Sequence, residues 1–137
     1  MDYEKFTDRV KRELKLKTAQ EAKLAVEATL STLGERLNGA DVHALGAQLP
    51  GELKGYLSER SNVEGFNLEE YYNRVASRTG LSYSAGVNQA RVVASVLRDA
   101  ITRGTLEKIL EHLPGEYREL FGREPRSPLS PTAPEMG

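Results

Sequence analysis

The sequence predicts an all-α fold: a compact bundle of about eight helices, built from two tandem repeats related by a pseudo-twofold axis, with a disordered Pro-rich C-terminal tail. Three observations carry this. Apolar residues recur at spacings of three and four along most of the chain, which is the period of one helix face. A phrase occurs twice at an offset of 64 residues, as Gln48-Leu49-Pro50-Gly51-Glu52-Leu53 and His112-Leu113-Pro114-Gly115-Glu116-Tyr117. A chain of 137 residues, 39% hydrophobic and 28% charged, suffices for one core and is too short for two ordinary domains.

The first helix follows from Tyr3, Phe6, Val10 and Leu14 on one stripe. Asp2 suits its N-cap, and Met1 with Phe6 would form a hydrophobic staple. Thr18-Ala19-Gln20-Glu21 is a capping box opening a second helix. Ala22, Val26, Thr29, Leu30, Leu33 and Leu37 follow at helical spacing, and the Ala-rich inner face predicts a central helix with close neighbours. Asn38-Gly39 is expected as its left-handed stop. Val42, Leu45 and Leu49 mark a short helix, and Pro50 is expected at the first position of another that carries Leu53, Tyr56 and Leu57 inward.

Turn formers over 58–66 predict a linker. Asn67 then caps a helix with Leu68, Tyr71, Tyr72 and Val75 inward and Thr79-Gly80 at its end, Phe66 and Tyr71 forming a second staple. Ser82 caps a long helix whose inner face is Ala90, Val93, Ala94, Leu97 and Ile101, with Gly86 a local weakness. Gly104-Thr105 opens a short helix with Leu106, Ile109, Leu110 and Leu113, and Pro114 the last, with Tyr117, Leu120 and Phe121. The Pro-rich stretch 122–137 has little to bury.

The halves align throughout. Phe6, Arg9 and Val10 match Tyr71, Arg74 and Val75 at an offset of 65. At an offset of 64, Thr18 matches Ser82, Leu33 matches Leu97, and Leu49-Pro50 matches Leu113-Pro114. The expected organisation is a single helical domain over 1–121, with repeat 1 at 2–57, linker 58–66 and repeat 2 at 67–121. Each unit alone would expose its inner face, so the halves are expected to share one core.

Asp-Tyr-Glu-Lys-Phe-Thr-Asp-Arg-Val at the start, Leu-Ser-Thr-Leu-Gly-Glu-Arg-Leu after it, and the two Leu-Pro-Gly-Glu corners together resemble the bacterial DUF2267 family. The resemblance covers residues 1 to about 121. It implies an all-helical, soluble bacterial protein, and carries no catalytic or ligand residue onto this chain.

Chemistry-bearing patterns are sparse. With no cysteine, thiolate metal sites, disulfides and Cys nucleophiles are excluded. The net charge of −1 gives no bulk attraction to polyanions. No apolar run is long enough to span a bilayer, and the charged start Met1-Asp2-Tyr3-Glu4-Lys5 is unlike a signal peptide, so a cytoplasmic protein is expected. His43 and His112 fall at different places in the repeat and form no two-histidine helical motif. Glu52 and Glu116 suit the positive end of the helix each begins. No catalytic, cofactor-binding or metal residue is nominated, no cofactor is expected, and the chain is not read as an enzyme. The leading expectation is a non-catalytic module that binds another protein or itself. The alternative is a nucleic-acid-associated regulator using the basic segment Arg9, Lys11, Arg12, Lys15, Lys17, with Arg74, Arg78, Arg91, Arg98 and Arg103 as a second basic face. A small-molecule accessory domain binding between the halves is a third. The Leu-Pro-Gly-Glu corners read as helix–helix turns in preference to docking features, and the tail equally as a short binding motif or as an unselected floppy end.

Overall fold

Six helices start on an Asp, Asn, Ser or Thr whose side-chain oxygen accepts the amide three residues on. Asp2 takes the Lys5 amide, Thr18 that of Glu21, Asn38 that of Asp41, Asn67 that of Glu70, Ser82 that of Ala85 and Thr102 that of Thr105. The computed structural model describes residues 1–57 and 63–123. Its elements are α1 Tyr3–Glu13, α2 Ala19–Arg36, α3 Gly39–Gly46, α4 Gly51–Tyr56, α5 Leu68–Thr79, α6 Tyr83–Ala100, α7 Arg103–Glu111 and a 3-10 helix Gly115–Phe121. Among the described residues all regular structure is helical, and the order long, long, short, short occurs twice.

The two longest helices, α2 and α6, lie at the centre. α1, α2, α5 and α6 form a ring in which each touches the next, and α2 and α6 also meet across it. α4 packs on α2, the 3-10 helix packs on α6, and α3 meets α7. The core takes Phe6 and Val10 from α1, Leu30 and Leu33 from α2, Tyr71 and Val75 from α5, and Val93 and Leu97 from α6, all buried. Each such side chain contributes about 1.5–3 kcal/mol relative to exposure. Ala22, Ala25 and Ala28 are buried along α2 as the sequence predicts, and small side chains let neighbours approach closely.

Two glycines go further than alanine could. A Cβ at Gly34 of α2 would land on the Leu57 carbonyl oxygen, with the carbonyl carbon 2.8 Å away. A Cβ at Gly86 of α6 would stand 2.9 Å from the Ala76 Cα of α5. Gly86 is therefore the close-approach point of its helix pair, and the helix propensity it gives up is the smaller effect.

The structure corrects several boundaries. Asn38-Gly39 is not a left-handed stop: α2 ends on an extended Leu37, and Asn38, at φ −73°, caps α3. Asn serves either purpose, and here the Asp41 amide, 2.8 Å from its Oδ1, decides. Pro50 and Pro114 stand at the N-cap rather than the first helical position, and the helix after Pro114 is 3-10. α7 begins at Arg103, one residue before the expected Gly104. Phe6 is fully buried while Met1 is 43% exposed. Gly122 and Arg123, placed in the tail by the sequence reading, belong to the folded part: Gly122 is left-handed at φ 72° and the Arg123 amide bonds the Arg118 carbonyl. The expected linker is fastened at its second half, where the Glu64 amide donates to the Glu35 carbonyl and the Phe66 carbonyl accepts from Arg36 and the Tyr117 hydroxyl. Linker residues 58–62 and tail residues 124–137 lie outside the described residues.

α1 and α5 end alike. The Leu16 amide returns to the Lys11 carbonyl and the Leu81 amide to that of Ala76, each at 2.9 Å. The left-handed residue required between is Gly80 after α5, at φ 69°, but Lys15 after α1, at φ 56°. A β-carbon there costs about 1 kcal/mol or more. Lys15→Gly is therefore expected to stabilise the protein by about 0.5 kcal/mol after the entropy lost by glycine is subtracted, measured by urea denaturation; a lower midpoint would contradict it.

Candidate functional site

Buried charge between α2 and α5 comes first. Glu35 is only 5% exposed, yet it is not alone. Arg74 reaches it at 3.0 Å and Arg78 at 2.8 Å, while Arg78 also donates to the Thr32 hydroxyl. Arg74 is shared with Glu64 and Glu70, and its guanidinium lies 4.0 Å from the centre of the Phe66 ring. The hydrogen bond that Arg74 donates to Glu70, then those to Glu64 and Glu35, raise its pKa against the opposing pull of burial. Every group here is engaged by another, so the cluster is a clamp and presents no free charge to a ligand.

The matching place in the other half is weaker. Arg9 pairs with Asp99 at 2.6 Å and with Glu13 at 2.7 Å. Burial raises the Asp99 carboxyl, but the Arg9 hydrogen bond and charge outweigh it and leave the pKa lowered.

A second polar cluster joins α3 to α7. The Asp41 carboxylate is 1% exposed and bonds the His112 Nδ1 through Oδ2 at 2.8 Å. Its Oδ1 is buried with no partner among the described residues. Asp41 stands in the first turn of α3 and His112 caps the end of α7, where the helix dipoles favour a negative and a positive group respectively. At the place in the first half that His112 holds in the second, Gln48 accepts the Thr102 amide and donates to the Thr102 and Thr105 hydroxyls. Each corner residue thus reaches the start of the other half's short helix. His112→Ala, which leaves both Asp41 oxygens unpaired, is expected to cost about 2 kcal/mol in urea denaturation. His112→Gln, borrowing the chemistry of Gln48, is expected to recover most of it; equal losses would make the imidazole itself necessary.

The other residues singled out by sequence are dispersed. His43 and Glu52 are exposed on α3 and α4. Glu116 accepts the Leu68 amide and so caps α5, in addition to standing at the start of its own helix. Arg98 donates to the Phe121 carbonyl. Among the described residues, no group of three or more His, Asp or Glu is placed to hold a metal, and no helix is long and apolar enough to cross a membrane. Of the tyrosines at core spacing, Tyr71, Tyr72 and Tyr117 are internal and Tyr3 and Tyr56 half-buried: the Tyr71 hydroxyl donates to the Thr29 carbonyl, and burial pushes Tyr117 up to about 12.

One feature looks outward and spans both halves. The turn after α1 and the turn after α5 meet beside α2 and α6, around a mostly apolar recess of about 130 Å³ lined by Leu16, Glu21, Leu24, Ala25, Thr79, Leu81 and Gln89. Leu24 is 46% exposed and Leu81 39%, two of five large hydrophobic side chains that are exposed among the described residues. Scattered exposed leucines need no explanation; leucines converging on one hollow do. All three leucines stand off the stripes that define the helices in sequence. That displacement is a usable signal, although only the packing reveals that the three converge. A groove of about 430 Å³ on α6, lined by Ser84, Asn88, Arg91, Ser95 and Leu120, lies within the second half.

The fold is thus an all-α bundle whose polar interior is occupied by structural pairs. The chain belongs to the family described as "Uncharacterized conserved protein (DUF2267)", whose family model matches residues 3–120. A comparison with curated proteins finds no match.

Proposed function

We propose that this protein is a non-catalytic protein-interaction module, a helical platform that binds another protein or a second copy of itself. The recess formed by Leu16, Leu24 and Leu81 carries this reading, because it gathers two of the five exposed large hydrophobic side chains of the described residues around one hollow. Its volume of about 130 Å³ suits one aliphatic side chain. Pockets for small molecules are typically about 300 Å³ or more, which disfavours a metabolite between the halves. Arg9, Arg74, Arg78 and Arg98 are engaged internally, which removes three of the five arginines of the second basic face and leaves Lys11, Arg12, Lys15 and Lys17 of the first segment as the cations a polyanion could meet.

We read residues 1–121 as one domain of two pseudo-twofold halves in a bacterial cytoplasm. Support for the symmetry comes from the packing. Exchanging α1 with α5, α2 with α6, α3 with α7 and α4 with the 3-10 helix turns the main helix pairs into one another. The test is light scattering from micromolar to millimolar protein, together with capture of partners by the full chain and by Leu24→Asp. The expected result is self-association or a stoichiometric partner that the substitution abolishes. A monomer whose captured proteins are indifferent to Leu24 would remove the reading.

A further inference from the structure

We propose that the groove along α6, separate from the leucine recess, seats the C-terminal segment of this same chain, residues 124–137, laid along it in extended form. One side of the groove is a stripe of α6 on which Ser84, Asn88 and Arg91 are exposed and make no hydrogen bond or ion pair among the described residues. Ser95 continues the stripe, and Val87, Val92 and Leu120 supply apolar surface beside it. Donors next to apolar surface suit a proline-rich strand. Pro125, Pro128, Pro131 and Pro134 recur at every third position, the period of the polyproline turn, which brings all four to one edge. Such a strand pairs none of its own carbonyls; Ser84, Asn88 and Arg91 offer them donors while the rings meet Val87, Val92 and Leu120. The occupant follows from continuity. Gly122 lines the groove, and its left-handed turn, closed by the Arg123 amide on the Arg118 carbonyl, fixes where the chain leaves the helical body. The stripe from Ser84 to Ser95 is about 16 Å long, which an extended strand crosses in about five residues, so residues 124–137 reach its far end. Tethering holds the segment at about millimolar effective concentration, and weak contacts suffice. The first half supplies the precedent. There the chain after α4 returns to the end of α2, where the Glu64 amide donates to the Glu35 carbonyl and Arg36 to the Phe66 carbonyl. The residue 64 positions after Glu35 is Asp99, one turn beyond Ser95 on α6. Where the second half has Leu120, the first has the larger Tyr56, its hydroxyl 3.4 Å from that of Tyr3 and with Glu27 acting on it. Leu120 and Arg91, 64 positions after Tyr56 and Glu27, leave that space for another part of the chain.

The chain has no cysteine, so Ser130→Cys carries a single nitroxide on the full chain. Amide NMR then reports which residues the segment visits. The expected result is loss of the amide signals from Ser84 to Ser95, unchanged on dilution, while α3 and α4 keep theirs. A segment free in solution also passes Gly122, so two further variants decide. Arg91→Glu replaces a donor by an acceptor, and Pro128→Gly/Pro131→Gly removes the polyproline bias; each should restore the signals at Ser84 and Asn88. Arg91→Lys, which keeps a donor, should not. Arg91 is exposed, so Arg91→Glu should melt at the same temperature as the parent, which excludes loss of fold as the cause. Broadening spread evenly over the surface, or indifferent to both variants, overturns the inference. Broadening that appears in a mixture of labelled chain with isotope-enriched, unlabelled chain places a second copy's segment in the groove and overturns the assignment to the same chain.

Discussion

Gly34→Ala is expected to destabilise the protein by about 3 kcal/mol, lowering its melting temperature by about 10 °C. Exposed in a helix, the same change would stabilise by about 1 kcal/mol through propensity. Here the added methyl falls on the Leu57 carbonyl, whose carbon and Cα lie 2.8 and 3.3 Å away. These are backbone atoms at the end of α4, so relief requires moving α4 off α2, and Leu53 and Leu57, both buried, move with it. The corresponding place in the second half is filled differently: Arg98, 64 positions after Gly34, donates to the carbonyl of Phe121, 64 positions after Leu57. One half seats its last helix by bare backbone contact and the other through a side chain. Arg98→Ala should therefore cost only about 1 kcal/mol, the value of one hydrogen bond. Urea denaturation of the two variants checks the contrast; equal effects would mean that the Gly34 contact relaxes cheaply.

Glu35→Ala carries the second large effect, an expected loss of about 3 kcal/mol. Removing Glu35 takes from Arg78 its carboxylate partner and from Arg74 one of three. Arg74 keeps Glu64 and Glu70, and Arg78 is partly exposed, so the cost falls at the lower end for such changes. Asp99→Ala, 64 positions on, removes a pair with Arg9 whose acid is 41% exposed, and should cost about 0.5 kcal/mol. A Glu35→Ala variant as stable as Asp99→Ala would show that water reaches the clamp.

The helices were legible because their signals are local. Asp2, Thr18, Asn67 and Ser82 cap the helices they were read to cap, and the stripes with Tyr71, Val75, Val93 and Leu97 turn inward. Asn38-Gly39 misled because the same two residues suit the end of one helix and the start of the next. What sequence could not carry was pairwise. Nothing local distinguishes Gly34, pressed on a distant carbonyl, from an exposed glycine. Nothing marks Glu35 or Asp41 as buried, since each is made tolerable by partners 39 to 71 residues away. Leu16, Leu24 and Leu81 go unmarked by the sequence reading, because they lie off the helical stripes and their convergence depends on two turns meeting in space.

The crossed corners bear on how the chain reaches this state. His112 bonds Asp41 over a separation of 71 residues and Gln48 bonds Thr105 over 57, so neither short helix is finished until both halves are present. Helices of this length form quickly, but closures over such separations await the docking of preformed pieces. Hydrogen exchange should then find the central amides of α2 and α6 opening in one event with the same denaturant dependence. The expected kinetic unit is accordingly the whole helical body, and a partially folded state with only its first four helices intact should be too costly to populate.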